Sequence, residues 1–380
     1  MPSMACGPRA VAVRPRVRLS KRPNVLSRQK SGSSAVAPMA LAVPQPVWRF
    51  LPLSGLAFVP LMVLGFVAIA VTISTLENIP FTVPMPGNIP GLKTNYWVPP
   101  IAAALGYLIL QVMARFVGAE KKTWREIGAH AVNDYLLLGI FIGVIYVHFN
   151  MKMWIPVINP SLHDQEYFAI DQALRPVVDL FMSLRTGIGQ FLPAVDVWYQ
   201  AAFMAIFVLS FLAHALGRRL WHYHNMVALL IFEMLGPLAY FVRPAVGPFI
   251  YEQGVNKAAT DAELHMYDVY QQVRDGGAAW IAQHGGQFFA QPLAAMPSLH
   301  VGASFIMLYY AIRARLWVAP VTAIAFCWIV IESVASRWHY LIDLPVGLLL
   351  AFIAIAATNH LCRGVRGEDR QAMTQLTLGR

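Results

Sequence analysis

No acidic residue occurs in the first 76 positions of this chain; the first carboxylate is Glu77. Charge of either sign is scarce throughout, at 13% of 380 residues, against 57% apolar content and a mean hydropathy of +0.53. That balance excludes an ordinary soluble domain and points to a polytopic membrane protein. Cysteine is nearly absent. Cys6, Cys327 and Cys362 lie far apart, which excludes a disulfide framework and a cysteine metal site. The net charge of +10 is not the footprint of a nucleic-acid module, because the basic residues are dispersed at the ends of apolar runs and in the N-terminal segment.

What is present is a series of apolar runs separated by short polar stretches. Residues 1–50, rich in Arg, Ser and Pro, read as a disordered basic cytoplasmic tail or a cleaved targeting segment. Two N-terminal spans are expected within residues 51–134, at 53–75 and 98–117. Six more are expected within residues 135–362: 135–157, 198–216, 226–242, 298–315, 317–334 and 340–361. Residues 159–197 are too polar to span, yet carry apolar residues at helical spacing. They read as one or two interfacial helices, or as a connector held by packing. A polar loop covers 244–297, with helical patterning at 258–274. Its acids Glu252, Asp261, Glu263 and Asp268 could meet a polyol headgroup, but such residues are usually only solvated.

Charge asymmetry sets the expected topology. Lys and Arg number nine in residues 1–49, four from Arg115 to Arg125, two each after the fourth and sixth spans, and four in the basic tail 363–380. These 21 of the 29 place both termini in the cytoplasm under the positive-inside rule. His222 and His224 then fall in a basic turn on the cytoplasmic side and read as interfacial rather than catalytic. Glu233 and Glu332 stand within spans, and the pattern gives no reason for Glu233.

Two polar insertions fall at the opposite membrane face: Ala295-Met296-Pro297-Ser298-Leu299-His300 and Ser336-Arg337-Trp338-His339-Tyr340-Leu341-Ile342-Asp343. His339 and Asp343 are four residues apart, so on a helix the carboxylate can orient the imidazole. Pro297-Ser298 marks a helix start with Ser298 as N-cap, which puts His300 in a first turn whose free N–H groups attract phosphate. Arg243-Pro244 ends another apolar run at the same face. Arg243 reads as a phosphate clamp or as an interfacial anchor. Two histidines and a carboxylate beside an anion site suit phosphoryl or phosphodiester transfer through a phosphohistidine, which requires no metal or cofactor.

The pairing of Pro-Ser-Leu-His with His-Tyr-Leu-Ile-Asp resembles the second and third signature motifs of the type 2 phosphatidic acid phosphatase superfamily. Leu299 in place of the usual Gly, and Tyr340 after the histidine, are closest to its inositol phosphorylceramide synthase-like branch. The resemblance implies an all-α membrane protein of about eight transmembrane helices with a six-helix catalytic core. It implies His339 as nucleophile, Asp343 as its orienter and His300 as the acid for the leaving group. The first motif's Lys, seven residues before Arg-Pro, is replaced by Gly236. The third motif's Ser-Arg is replaced by Glu332 and Ser333, with Arg337 nearer the histidine.

Fewer cations suit a singly charged phosphodiester better than a monoester dianion. The expectation is therefore a transferase that moves a phosphorylated headgroup from a phospholipid donor to a lipid-alcohol or polyol acceptor. Arg243, Arg337 and Ser298 would bind the phosphate. A lipid phosphate or polyprenyl pyrophosphate phosphatase is the nearest alternative, and a non-enzymatic transporter or scaffold the remoter one.

Overall fold

The computed structural model describes residues 58–85, 88–89, 94–95, 97–117, 123–192, 194–216 and 219–362. The basic segments at 1–50 and 363–380 lie outside these residues. Among the described residues, a two-residue antiparallel pair, β1 (Asn88–Ile89) with β2 (Thr94–Asn95), is the extended structure; the remaining regular elements are helical. The helices are α1 (Phe58–Leu76), α2 (Val98–Val117), α3 (Trp124–Ile158), α4 (Asp164–Ala173), α5 (Arg175–Gly189), α6 (Trp198–Leu216) and α7 (Arg219–Val242). They continue with α8 (Lys257–His284), α9 (Leu299–Arg313), α10 (Ala319–Ala335) and α11 (Asp343–Leu361).

Each expected span is a helix, but not each is of spanning length. Among the described residues, five helical segments are long and apolar enough to cross a membrane: Phe58–Leu76, Trp124–Ile158, Val195–Leu216, Leu220–Val242 and Asp343–Leu361. Val98–Met113 and Ala319–Ala335 are apolar but shorter. The 15 residues of α9 rise only about 22 Å, less than a hydrocarbon core of about 30 Å.

The largest boundary difference is α3, which begins eleven residues before the expected span. Thr123 and Glu126 form a reciprocal capping box there: the Glu126 N–H donates to Thr123 Oγ1 at 3.2 Å, and the Thr123 N–H to Glu126 Oε2 at 2.8 Å. Two backbone donors are satisfied before the apolar run starts, so the helix extends into the polar segment. Helix α7 likewise starts at Arg219, which makes His222 and His224 buried helical residues and not part of a turn. His222 Nε2 lies 3.4 Å from Asp134 Oδ1, and Tyr107 donates to Asp134 Oδ2 at 2.6 Å.

Helix α9 packs against α6, α7, α10 and α11, and α3 lies along α7. Close approach here depends on small residues, as is usual where lipid offers no hydrophobic contrast. A Cβ on Gly347 would stand 2.3 Å from Ser298 O, and one on Gly302 2.2 Å from Phe232 Cζ and 2.7 Å from Gly347 O. The absent side chains let the starts of α9 and α11 touch, and the Ser298 N–H donates to Asp343 O at 3.1 Å.

The region 159–197 does hold two helices. Helix α5 lies along α10, buries Val178 and Arg185, and exposes Val177, Leu180 and Leu184 on another face. In α8, Gly277 at φ +57° interrupts the helix with a conformation other residues rarely adopt.

Candidate active site

The second polar insertion folds back on itself. Ser336 ends α10, and Arg337 follows at φ +63°, a left-handed position more often held by Gly. Its side chain is fully buried, donating to Asp171 Oδ2 at 2.8 Å and lying 3.6 Å from Glu252 Oε2. Burial pushes the Asp171 carboxyl above its ordinary range, partly offset by the Leu341 N–H and by Arg337. The reversed turn delivers His339 beside α9, with its N–H donating to Ser333 O at 3.0 Å.

His339 Nδ1 meets two oxygen acceptors, Ala295 O at 2.8 Å and Asp343 Oδ2 at 3.3 Å. Nδ1 therefore carries the proton and Nε2 the lone pair. Asp343 Oδ2 also accepts the Tyr340 N–H at 2.9 Å. The first insertion supplies the carbonyl of Ala295, whose own N–H donates to Ala245 O at 2.8 Å. One chain of hydrogen bonds thus joins the Arg243-Pro244 turn, the segment before α9 and the start of α11. Asp164 secures that turn by accepting the N–H groups of Val246 and Gly247 and the Tyr340 hydroxyl. Burial raises the Asp164 carboxyl while these donors lower it.

His300 and His339 line the same cavity, of about 240 Å³. The His300 ring lies 5.2 Å from that of Tyr199 and 4.5 Å from that of Phe203. Along α3 the lining runs from Lys152 to Leu138, a depth of about 20 Å at the helical rise. Most of the wall is apolar, from α3, α6, α7 and α9 together with Pro99 and Pro100 of α2. Lys152, His148 and Glu233 also line it, none of which the sequence pattern nominated as site residues. The available signal was a lysine and a histidine inside an apolar run.

Neither arginine expected to clamp the phosphate lines this cavity. Arg243 is 49% exposed at its side chain and bonded to Glu166 and to His163 Nδ1, outside the cavity lining. The hydrogen bond from His163, aided by Arg243, holds the Glu166 carboxyl below its ordinary value. Arg337 is likewise absent from the lining, since its ion pair with Asp171 takes it elsewhere. Ser298 stands at the N-cap of α9, but its hydroxyl makes no capping bond; it is buried without a partner among the described residues. Helix-capping by Ser298 is thus corrected: the position is right and the hydroxyl is spare.

The acids also differ from expectation. Glu263 is fully buried, with both carboxyl oxygens unpartnered among the described residues, and Glu252 binds Arg175 at 2.7 Å. Burial drives the Glu263 carboxyl well above its ordinary value; Arg337 opposes that and Glu332 adds to it. Glu332 is explained: it accepts from Arg185, Asn256 and Ser336. Glu233 sits 3.3 Å from His148 Nδ1, which also bonds the Glu233 carbonyl at 2.8 Å. Among the described residues no group of His, Cys, Asp and Glu is arranged to hold a metal ion.

Neither a curated protein nor a solved structure matches this chain. A profile of the PAP2 superfamily matches residues 165–357, just over half of the 380, and that segment contains both histidine motifs and Asp343. With that match, and with the two motifs joined at one cavity, the chain belongs to the PAP2 superfamily, the type 2 phosphatidic acid phosphatases.

Proposed function

We propose that this protein is a membrane lipid phosphotransferase that moves a phosphorylated headgroup from a phospholipid to a lipid or polyol hydroxyl, in the manner of inositol phosphorylceramide synthases. The observation that carries the reading is the shared cavity: His300 and His339 line one mainly apolar cleft together with Lys152, His148 and Glu233. A lipid phosphoester has that form, with one phosphate on a long apolar body.

In the proposed reaction, Nε2 of His339 attacks phosphorus and the bond from phosphorus to the lipid oxygen breaks. His300 gives that oxygen its proton, so the donor leaves as a neutral alcohol. The acceptor hydroxyl then attacks the phosphohistidine, His300 takes the hydroxyl proton, and the P–N bond breaks to restore His339. Asp343 and the Ala295 carbonyl hold the ring and compensate the positive charge that develops on it. The N–H groups at the start of α9 supply donors to the phosphate oxygens, and Ser298, buried just behind the lining, holds a spare hydroxyl beside them. The charge bias supports cytoplasmic termini and a site at the opposite face.

Two observations favour transfer to an alcohol over release of phosphate to water. The wall is largely apolar, and neither expected arginine lines it, which suits a singly charged diester more than a dianion. The test is incubation of the full chain in mixed micelles with labelled phospholipid and candidate lipid alcohols. A new phospholipid that disappears in His339→Ala supports the transferase; inorganic phosphate as the sole product assigns the phosphatase.

A further inference from the structure

A phosphate group entering this site meets neither of the two guanidinium groups that the sequence nominated. It also finds no lysine on α7. Position 236, where the family's first motif carries one, is glycine, and the space above it is filled: a Cβ there would stand 2.6 Å from Leu299 Cδ1 and 3.2 Å from His148 Cε1. No longer side chain fits at that point while Leu299 holds its place.

A cation nevertheless reaches the same layer from another helix. Lys152 lies one turn after His148 on α3 and lines the cavity together with His300 and His339. Its Nζ sits 5.2 Å from the centroid of the Tyr240 ring, a cation–π contact that leaves the ammonium hydrogens uncommitted. Among the described residues it makes no hydrogen bond or ion pair. The nearby carboxylate, Glu233, contacts His148 at 3.3 Å and attracts Lys152 without forming an ion-pair contact with it. A cation within a mainly apolar wall is costly unless it is paired or used.

We propose that Lys152 is the phosphate-binding cation of this site, supplied from α3 in place of the lysine that α7 lacks. Tyr240 holds the ammonium at the wall, and the His148–Glu233 pair keeps the one adjacent carboxylate from capturing it. The ligand class is the phosphate oxygens of a lipid phosphoester. The assignment rests on the phosphotransfer reading above. Lys152 also precedes the segment that matches the family, so this chain solves the charge requirement outside the shared motifs.

The experiment titrates inorganic phosphate into the full chain in detergent micelles by calorimetry, alongside turnover of a lipid phosphoester. Lys152→Met is expected to weaken phosphate binding roughly ten- to a hundredfold, the loss of one or two charge-assisted hydrogen bonds, with the thermal midpoint unchanged. Lys152→Arg is expected to recover most of the binding.

A wild-type chain that binds no phosphate, or a Lys152→Met chain that binds it as wild type does, overturns the assignment. Should Lys152→Met fail to fold, Lys152→Gln decides: phosphate binding equal to wild type overturns it equally. His339→Ala separates the two claims. It should bind phosphate and turn nothing over, and if it keeps its turnover the phosphotransfer reading falls whatever Lys152 does.

Discussion

Leu299 occupies the space that a side chain at Gly236 would need, its Cδ1 standing 2.6 Å from the point where a Cβ would be built. Both residues depart from the family's motifs, one by gaining a side chain in the second motif and the other by losing one in the first. They are 63 positions apart and in contact, so the two departures are one event in space. Leu299 trades a cation on α7 for apolar packing between α7 and α9.

That contact predicts coupled stability effects. Gly236→Ala should destabilise the fold by about 1–3 kcal/mol through overpacking against Leu299 and His148. In a double-mutant cycle with Leu299→Ala, the pair should show a coupling of about 1 kcal/mol or more, because the smaller residue makes room for the added methyl. Strictly additive losses in thermal midpoint would show that the residues do not compete for the same space.

The two acceptors on His339 Nδ1 predict unequal losses. His339→Ala should abolish transfer, and His300→Ala should lower turnover by about 10²–10⁴-fold as the leaving oxygen loses its acid. Asp343→Asn should cost less, about 10²-fold, because the Ala295 carbonyl still holds the Nδ1 proton and with it the tautomer. Single-turnover kinetics would check this ranking. A loss for Asp343→Asn as large as that for His339→Ala would assign the tautomer to the carboxylate alone.

Arg243 should matter little. It is half exposed and engaged by Glu166, so Arg243→Gln should lower turnover by less than about threefold, in keeping with the small energetic worth of exposed ion pairs. A steady-state comparison with wild type is sufficient. A hundredfold loss would mean that Arg243 swings into the cavity during turnover.

Glu263 predicts a pH dependence. Its folded-state pKa lies well above the ordinary 4.5, so the fold binds that proton more tightly than the unfolded chain does. The fold therefore gains stability as pH falls from neutral toward 4.5 and loses it as pH rises through the raised value. Asp164 and Asp171, also raised, act in the same direction. Glu263→Gln should raise the thermal midpoint at neutral pH and flatten, without removing, the decline between about pH 5 and 8. Melts of the two proteins with identical pH slopes would dismiss Glu263 as the source.

Local signals carried much of this architecture. The runs at 98–117 and 198–216 coincide with α2 and α6, because apolar content and flanking charge fix a helix without reference to the rest of the chain. The spacing of His339 and Asp343 pointed to their contact but not to how it is made: His339 lies in the turn before α11, which starts only at Asp343, so the two meet across a turn and not along a helical face. The capping box at Thr123 and Glu126 is also present in the sequence, but the polar residues after it mask the helix it starts. What local pattern could not show was pairing at distance. Arg337 is taken up by Asp171, 166 residues away, and Arg185 by Glu332, 147 away, so the fate of a guanidinium depends on which acid the fold brings to it. Lys152 was hidden for a related reason: averaged over its span, one charge among apolar residues barely alters the hydropathy.

The cavity's walls are unevenly distributed along the chain. Pro99, Pro100, Leu138, Phe141, Ile145 and Lys152 line it, yet all precede residue 165, where the family match begins. The shared segment thus carries both motif histidines but only part of the enclosure around them. Trimming the chain to that segment would leave the histidines facing a cleft with one flank missing, and exchanging the first three helices between relatives would alter which molecules the cleft admits while leaving the chemistry in place.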